Sequence, residues 1–301
     1  MGLLSADGHP YGQVIAFNSN IPVPDHLVFI LVLGSDARAG EDMQRTRSDS
    51  IHLVAINPRT MQGTVLGFPR DSWVQIPGHG QNKINEALAY GGPNLAAQTV
   101  RNLTGLPVDY WVLTGFNGLP AMVDELGGVE VYVDRRMADR NSGAFFEPGW
   151  HHFNGSQALA YSRDRHDVPQ GDFSRSLNQG NLILAALSKM RAEVGDEEGL
   201  GRWIGVLQRH ARLQDMSMSD LRVLGALGRR MDVADIRNVV VPGRVGYAGK
   251  ASVVYLGQEA VDVFNDLRPD AVLGQPRPPA TTTTSTSSPS TTTTSSGSPL
   301  P

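Results

Sequence analysis

Residues 27–33, Leu27-Val28-Phe29-Ile30-Leu31-Val32-Leu33, form an unbroken apolar run closed by Gly34. So short a run, bounded by a turn residue, reads as a strand buried on both faces. It is far from the roughly 20 residues that a membrane-spanning helix needs. Ser50–Ile56 reads as a second strand, and Asn57-Pro58-Arg59-Thr60 reads as a turn into a third at Thr64–Phe68. The link before the second strand and the short turn after it both suit antiparallel neighbours. The end of strand one, the start of strand two and the end of strand three then share one edge. That edge carries Asp36 and Arg38, Arg47 and Asp49, and Arg70 and Asp71. Loops at a sheet edge commonly hold ligand sites. One such pair is worth little as a surface ion pair, so the case rests on several together.

Outward from these strands the chain alternates. Further strands are expected at Asp109–Thr114, Val129–Val133, Asn238–Val241 and Ser252–Leu256. Helices are expected at Asn94–Leu103, Asn117–Leu126, Ser174–Arg191, Ser219–Met231 and Gln258–Leu267. In Asn117–Leu126 the apolar residues fall at i, i+3, i+4 and i+7, one helix face, and Gly127 supplies the stop. The pattern predicts one α/β unit over 25–274, after a lead segment at 1–24. Past Arg277 the chain has no charge, only Thr, Ser, Pro and small residues, so 275–301 is expected to stay disordered, as a wall-spanning stalk or an inert tail.

The bulk numbers bound the function. The chain has 301 residues and a formal net charge of −4, so it lacks the basic excess of a nucleic-acid binder. An anionic ligand would have to be met by a local basic cluster. With no cysteine, disulfides and thiolate metal sites are excluded. Residues 1–26 show no basic start before an apolar core, so either the protein is cytosolic or the sequence begins after a removed membrane anchor.

More cations follow the edge. Lys83 stands in Lys83-Ile84-Asn85 ahead of a short helix, and Arg163 and Arg165 stand in Tyr161-Ser162-Arg163-Asp164-Arg165-His166. Arg175 and Gln179 are four apart at the start of a helix, hence on one face. A cation in a first helical turn opposes the macrodipole, so Arg175 calls for a nearby anion. Guanidinium is the side chain best suited to bidentate phosphate contact. Asp36 and Asp49 could hold Mg²⁺, with Mn²⁺ as the alternative, since such ions take carboxylate oxygen and bridge to phosphate. His151, His152 and His166 lack the spacing of a zinc site. Asn154-Gly155-Ser156 reads better as a turn and helix cap than as a glycosylation site.

The ordered strings Leu33-Gly34-Ser35-Asp36-Ala37-Arg38, Arg47-Ser48-Asp49, Pro69-Arg70-Asp71, Lys83-Ile84-Asn85, Tyr90-Gly91-Gly92, Leu126-Gly127-Gly128-Val129, Ala158 to His166, and Gly171-Asp172-Phe173-Ser174-Arg175 resemble the LytR-CpsA-Psr family. The resemblance runs from about Asp25 to Arg191, and single motifs of this kind are weak where the ordered set is specific. It implies a three-layer α/β/α domain with a central mixed sheet. It also implies an N-terminal membrane helix, which this sequence lacks, and a place on the extracytoplasmic face of a bacterial membrane. The implied reaction moves a glycopolymer from a polyprenyl-pyrophosphate carrier to peptidoglycan. By matched motif, Asp36 and Asp49 would hold magnesium. Arg47, Arg70, Lys83, Arg163, Arg165, Arg175 and Gln179 would contact the pyrophosphate. Asn178 departs from the pattern, standing where many members carry a basic residue.

In that reaction a sugar hydroxyl attacks the phosphorus attached to the glycan, and polyprenyl phosphate leaves. Positioning and charge stabilisation do most of the work, with Arg47 and Arg70 at the reacting phosphate. The base is Asp71 or a metal-bound group. The lipid needs an apolar tunnel, for which Leu119, Met122, Val123, Leu182, Ile183 and Ala186 on two helices are the candidates. A pyrophosphatase, or a non-catalytic prenyl-phosphate binding or regulatory protein, are the alternative readings.

Overall fold

A computed structural model describes residues 21–274 apart from Ala39, 166–170 and Asp215. The expected tail, His166 and most of the lead segment lie outside the described residues. Among those described, no helix is long and apolar enough to cross a membrane.

The apolar run becomes β1 (Val28–Ser35), paired antiparallel to β2 (Ser48–Asn57), which turns into antiparallel β3 (Gln62–Gly67). Two small strands, β4 (Trp73–Ile76) and β5 (Gly80–Lys83), form a hairpin before α1 (Glu86–Thr104). This helix is kinked at Gly91 and Gly92, and Gly92 has φ 71°. The expected short helix and the helix at Asn94–Leu103 are therefore its two halves.

Next come β6 (Tyr110–Gly115), α2 (Gly118–Glu125), β7 (Val129–Val133), β8 (Met137–Asp139), β9 (Ala144–Phe146) and β10 (Gly149–Phe153). They lead to α3 (Gly155–Arg163) and α4 (Asp172–Glu193), then α5 (Glu197–His210), β11 (Arg212–Leu213) and α6 (Met218–Arg230). The chain closes with β12 (Ile236–Val240), the hairpin β13 (Arg244–Ala248) and β14 (Ala251–Tyr255), and α7 (Gln258–Leu267). Asn154 caps α3 through a capping box with Gln157, as its turn-and-cap reading expects.

The central sheet is mixed, in the order β11-β6-β1-β2-β3-β12. Alternate residues of β1 explain why its sequence is continuously apolar. Phe29, Leu31 and Leu33 pack with Leu88, Val100, Phe264 and Leu267 of α1 and α7. Ile30 faces the opposite layer, where Val54, Val65, Leu184, Leu187 and Leu227 gather from the sheet, α4 and α6. The result is a three-layer α/β/α unit. Of the expected strands, β7 stands apart, pairing only with β10, and β13–β14 is likewise a separate ribbon. Sequence reading gives only the cap of α3, not its length, and does not give α5.

The sheet brings the ends of β1, β3 and β6 and the start of β2 to one edge. There the β1–β2 register skips a residue: Gly34 opposes Ser50 and Ser35 opposes Ser48, leaving Asp49 as a bulge. Bulges re-aim side chains beside functional sites.

His52 on β2 is fully buried, and burial drives its pKa down to about 4. The native state therefore holds a neutral ring. An unfolded histidine takes up a proton near pH 6.5, so stability is intact above that value and is lost as pH falls towards 4. The loss reaches about 3 kcal/mol. Denaturant unfolding from pH 7 to 4 should show it, and His52→Gln should flatten that part of the profile.

Candidate functional site

The charged edge and the layer beneath it enclose two adjoining cavities. The first, about 280 Å³, is lined by Arg38, Arg70, Arg163, Arg165 and Arg175 together with Asp36 and Asp49, and by Phe116, Asn141 and Ser142. Five guanidinium groups against two carboxylates make a local positive field in a chain of net charge −4. The second cavity, about 430 Å³, lies between the sheet and helices α2, α4, α5 and α6, and its walls are almost wholly apolar. Asp49, Phe116, Arg163 and Arg175 line both, so the charged site opens into the apolar one.

Each cation is placed by its element. Arg70 is in a turn closed by the Ser72 N–H donating to Pro69 C=O (2.9 Å). Its guanidinium pairs with Asp49 and its backbone N–H donates to the Asp172 carboxylate at 3.0 Å. Burial works against its charge, but Asp49, Asp172 and Asp71 outweigh that and hold its pKa above the ordinary value. Arg175, in the first turn of α4, pairs with Asp172 three residues earlier. Burial pulls its pKa down, with Asp172 opposing and Arg70 adding to the strain. The Nε atoms of Arg70 and Arg175 are buried without a hydrogen bond. Unpaired buried donors are costly, and an anion between the two guanidinium groups would satisfy them.

Arg163, at the end of α3, is exposed and lies 4.9 Å over the Phe116 ring. Gln179, one turn beyond Arg175, donates to the backbone oxygens of Asp49 (3.2 Å) and Ser162 (3.1 Å) and lines the apolar cavity at its mouth.

Asp36 is raised in pKa, first by burial and then by the charge of Asp49. Two hard oxygen donors sharing negative charge fit a divalent cation. Among the described residues no group of three or more acidic, histidine or cysteine side chains forms a metal cluster. An ion here would therefore complete its shell with water and phosphate oxygen, as magnesium does.

The structure separates some of the residues that sequence reading grouped. Lys83 pairs with Asp71 at 3.0 Å, and Arg47, with a mostly exposed side chain, pairs with Glu86 at 2.7 Å. These three expected site residues flank the charged cavity and do not line it. Leu119, Met122, Val123, Leu182, Ile183 and Ala186, the expected lipid contacts, all line the apolar cavity. The residue that sequence reading missed is Asp172, the common partner of Arg70 and Arg175. Its signal was an aspartate three before an arginine in a first helical turn, where both the spacing and the dipole favour it. Asn141 and Ser142, on the β8–β9 turn, were also missed. His151 and His152 bond to Glu147 O (2.7 Å) and the Glu130 carboxylate (2.6 Å).

Comparisons with known proteins place the chain in a family and match its fold. The sequence profile of the LytR_cpsA_psr family matches residues 10–264. The polyisoprenyl-teichoic acid–peptidoglycan teichoic acid transferase TagU of Bacillus anthracis is 34% identical over 186 residues, covering 62% of this chain and 59% of that protein. The chain thus spans about three-fifths of that relative's length. The crystal structure of B. subtilis TagV superposes with a TM-score of 0.73 at 24% identity, over 83% of this chain and 98% of that one. TagT bound to LI-WTA superposes with a TM-score of 0.66 at 26% identity, over 81% and 90%.

Proposed function

This chain belongs to the LytR-CpsA-Psr family, and on that premise we propose that it transfers a glycopolymer from a polyprenyl-pyrophosphate carrier to peptidoglycan. One observation carries the proposal: an arginine-lined cavity opens directly into an apolar one, so a ligand with a diphosphate head and a hydrocarbon tail fits both. The name of TagU, a transferase of a polyisoprenyl-linked polymer to peptidoglycan, and the binding of LI-WTA by TagT support the same reading. In this reading the site of action is the extracytoplasmic face of the membrane, where carrier and acceptor meet, with an N-terminal membrane helix as anchor.

In the proposed step a peptidoglycan hydroxyl attacks the phosphorus bearing the glycan. The bridging P–O bond breaks, polyprenyl phosphate leaves with the electron pair, and a phosphodiester forms. Arg70 and Arg175 hold the diphosphate and take up charge as it develops on the leaving phosphate, while Arg163 and Arg165 close the solvent side. Asp36 and Asp49 would hold Mg²⁺, which supplies charge neutralisation at the phosphate oxygens. Arg47 and Lys83 act from the flank, through Glu86 and Asp71. The hydroxyl proton goes to Asp71, at the flank of the cavity. Asp71→Asn should lower transfer by about 10²–10⁴-fold, and transfer at the wild-type rate would remove Asp71 as the base. With water in place of the hydroxyl the same site would act as a pyrophosphatase.

The test is an assay with a polyprenyl-pyrophosphate glycan and peptidoglycan strands. Transfer gives phosphodiester-linked product and one polyprenyl phosphate per bond, and omitting the acceptor reports hydrolysis. Release of lipid phosphate at the same rate with and without acceptor would replace transferase with pyrophosphatase.

A further inference from the structure

Behind the charged cavity a hydrogen-bond relay joins β2 to α4. The Ser50 hydroxyl lies 3.0 Å from His52 Nδ1, and His52 Nε2 lies 2.9 Å from the Ser176 backbone oxygen. A carbonyl oxygen only accepts, so Nε2 carries the hydrogen. The fully buried ring is neutral, which leaves Nδ1 as an acceptor and makes Ser50 its donor. The relay therefore runs in one direction, from Ser50 through His52 to the backbone of α4.

Two glycines clear its path. A Cβ on Gly34 would stand 2.8 Å from Ser50 Cβ. One on Gly67 would stand 2.3 Å from Ser176 Oγ and 3.0 Å from His52 Nε2. Neither residue has a positive φ, so room for the relay, not backbone freedom, is what excludes a side chain there.

Ser176 sits between the two α4 residues that address the site, directly after Arg175 and three before Gln179. Arg175 pays for its burial, so a loosened first turn would let its guanidinium escape to water. We propose that His52 is a positioning residue for the diphosphate: by holding Ser176 it fixes the first turns of α4 on β2, so that Arg175 and Gln179 meet the ligand. His52 itself lines neither cavity. The inference rests on the prenyl-pyrophosphate reading of the cavities.

Two substitutions split the relay. His52→Asn keeps a polar group near the Nδ1 position for Ser50 and gives up Ser176. His52→Gln reaches the Nε2 position with an N–H and keeps Ser176. Calorimetric titration with geranylgeranyl pyrophosphate should show H52N binding about tenfold or more weakly, the value of one charge-assisted hydrogen bond, and H52Q within about twofold of wild type. Equal losses in the two variants, or wild-type affinity in H52N, would overturn the positioning role. Equal melting temperatures with unequal affinities would separate positioning from mere packing. If H52N does not fold, Gly67→Ala, whose Cβ would stand against both Ser176 Oγ and His52 Nε2 and so wedges the two apart, should give the same loss of affinity, and unchanged binding there overturns the proposal. If wild-type protein does not bind geranylgeranyl pyrophosphate, the reading of the cavities falls first and this inference with it.

Discussion

Arg175→Ala should weaken binding of a prenyl pyrophosphate by about 10²–10³-fold, because truncating one partner of a buried charge pair costs about 2–5 kcal/mol. Arg175 is the most deeply buried of the cavity's arginines and lies at the junction with the apolar cavity. Its loss removes the buried one of the two arginines that line both cavities and leaves Asp172 with Arg70 alone, so a carboxylate partly unpaired by the change would repel the incoming diphosphate. Arg175→Lys should recover little, since an ammonium cannot present two parallel N–H groups to phosphate oxygens from so confined a position. The exposed Arg163 gives the contrast. Arg163→Ala should cost about tenfold or less, as expected for a solvent-screened cation whose other contact is a ring. Titration with geranylgeranyl pyrophosphate measures all three. Affinity within threefold of wild type in R175A would remove Arg175 from the site.

Ala186→Trp should divide head from tail. Ala186 is half-buried on α4 and faces the apolar cavity, so a bulky ring enters open space instead of packed core. Each excluded methylene forfeits about 0.8 kcal/mol, so keeping out one five-carbon isoprene unit weakens a long prenyl pyrophosphate by about a thousandfold. Inorganic pyrophosphate should bind as before, because the charged cavity is untouched. The melting temperature should hold or rise, since the substitution fills a void. Equal binding of long and short chains by wild type and A186W alike would mean that the hydrocarbon lies elsewhere.

The part of this site that was legible in the sequence is the part governed by strand periodicity. A run such as residues 27–33 has to be buried on both faces, and two short links have to return the chain antiparallel. Those constraints bring Asp36, Asp49 and Arg70 to one edge before any side chain is placed. Helical spacing puts Arg175 and Gln179 on one face, but only the family resemblance ties them, with Arg163 and Arg165, to the same site. What failed was adjacency. Arg70 and Asp71 are the central pair of a turn, where neighbouring side chains diverge, so Arg70 enters the cavity while Asp71 meets Lys83 outside it. Arg47, two residues before the bulged Asp49, likewise leaves for Glu86. Helix α5 escaped notice because Gly199, Gly201 and Gly205 lower its propensity, although Leu200, Ile204 and Leu207 keep a helical stripe. His52 gave no signal: a single polar residue in an apolar strand is unremarkable until its two ring nitrogens have partners.

The measurement closest to the central claim is a crystal structure of the protein soaked with a prenyl pyrophosphate and Mg²⁺. Diphosphate density is expected against Arg70 and Arg175, with one metal between Asp36 and Asp49 and a continuous hydrocarbon running between α2, α4 and the sheet. A diphosphate bound at Arg47 and Lys83, with the apolar cavity free of hydrocarbon, would contradict it.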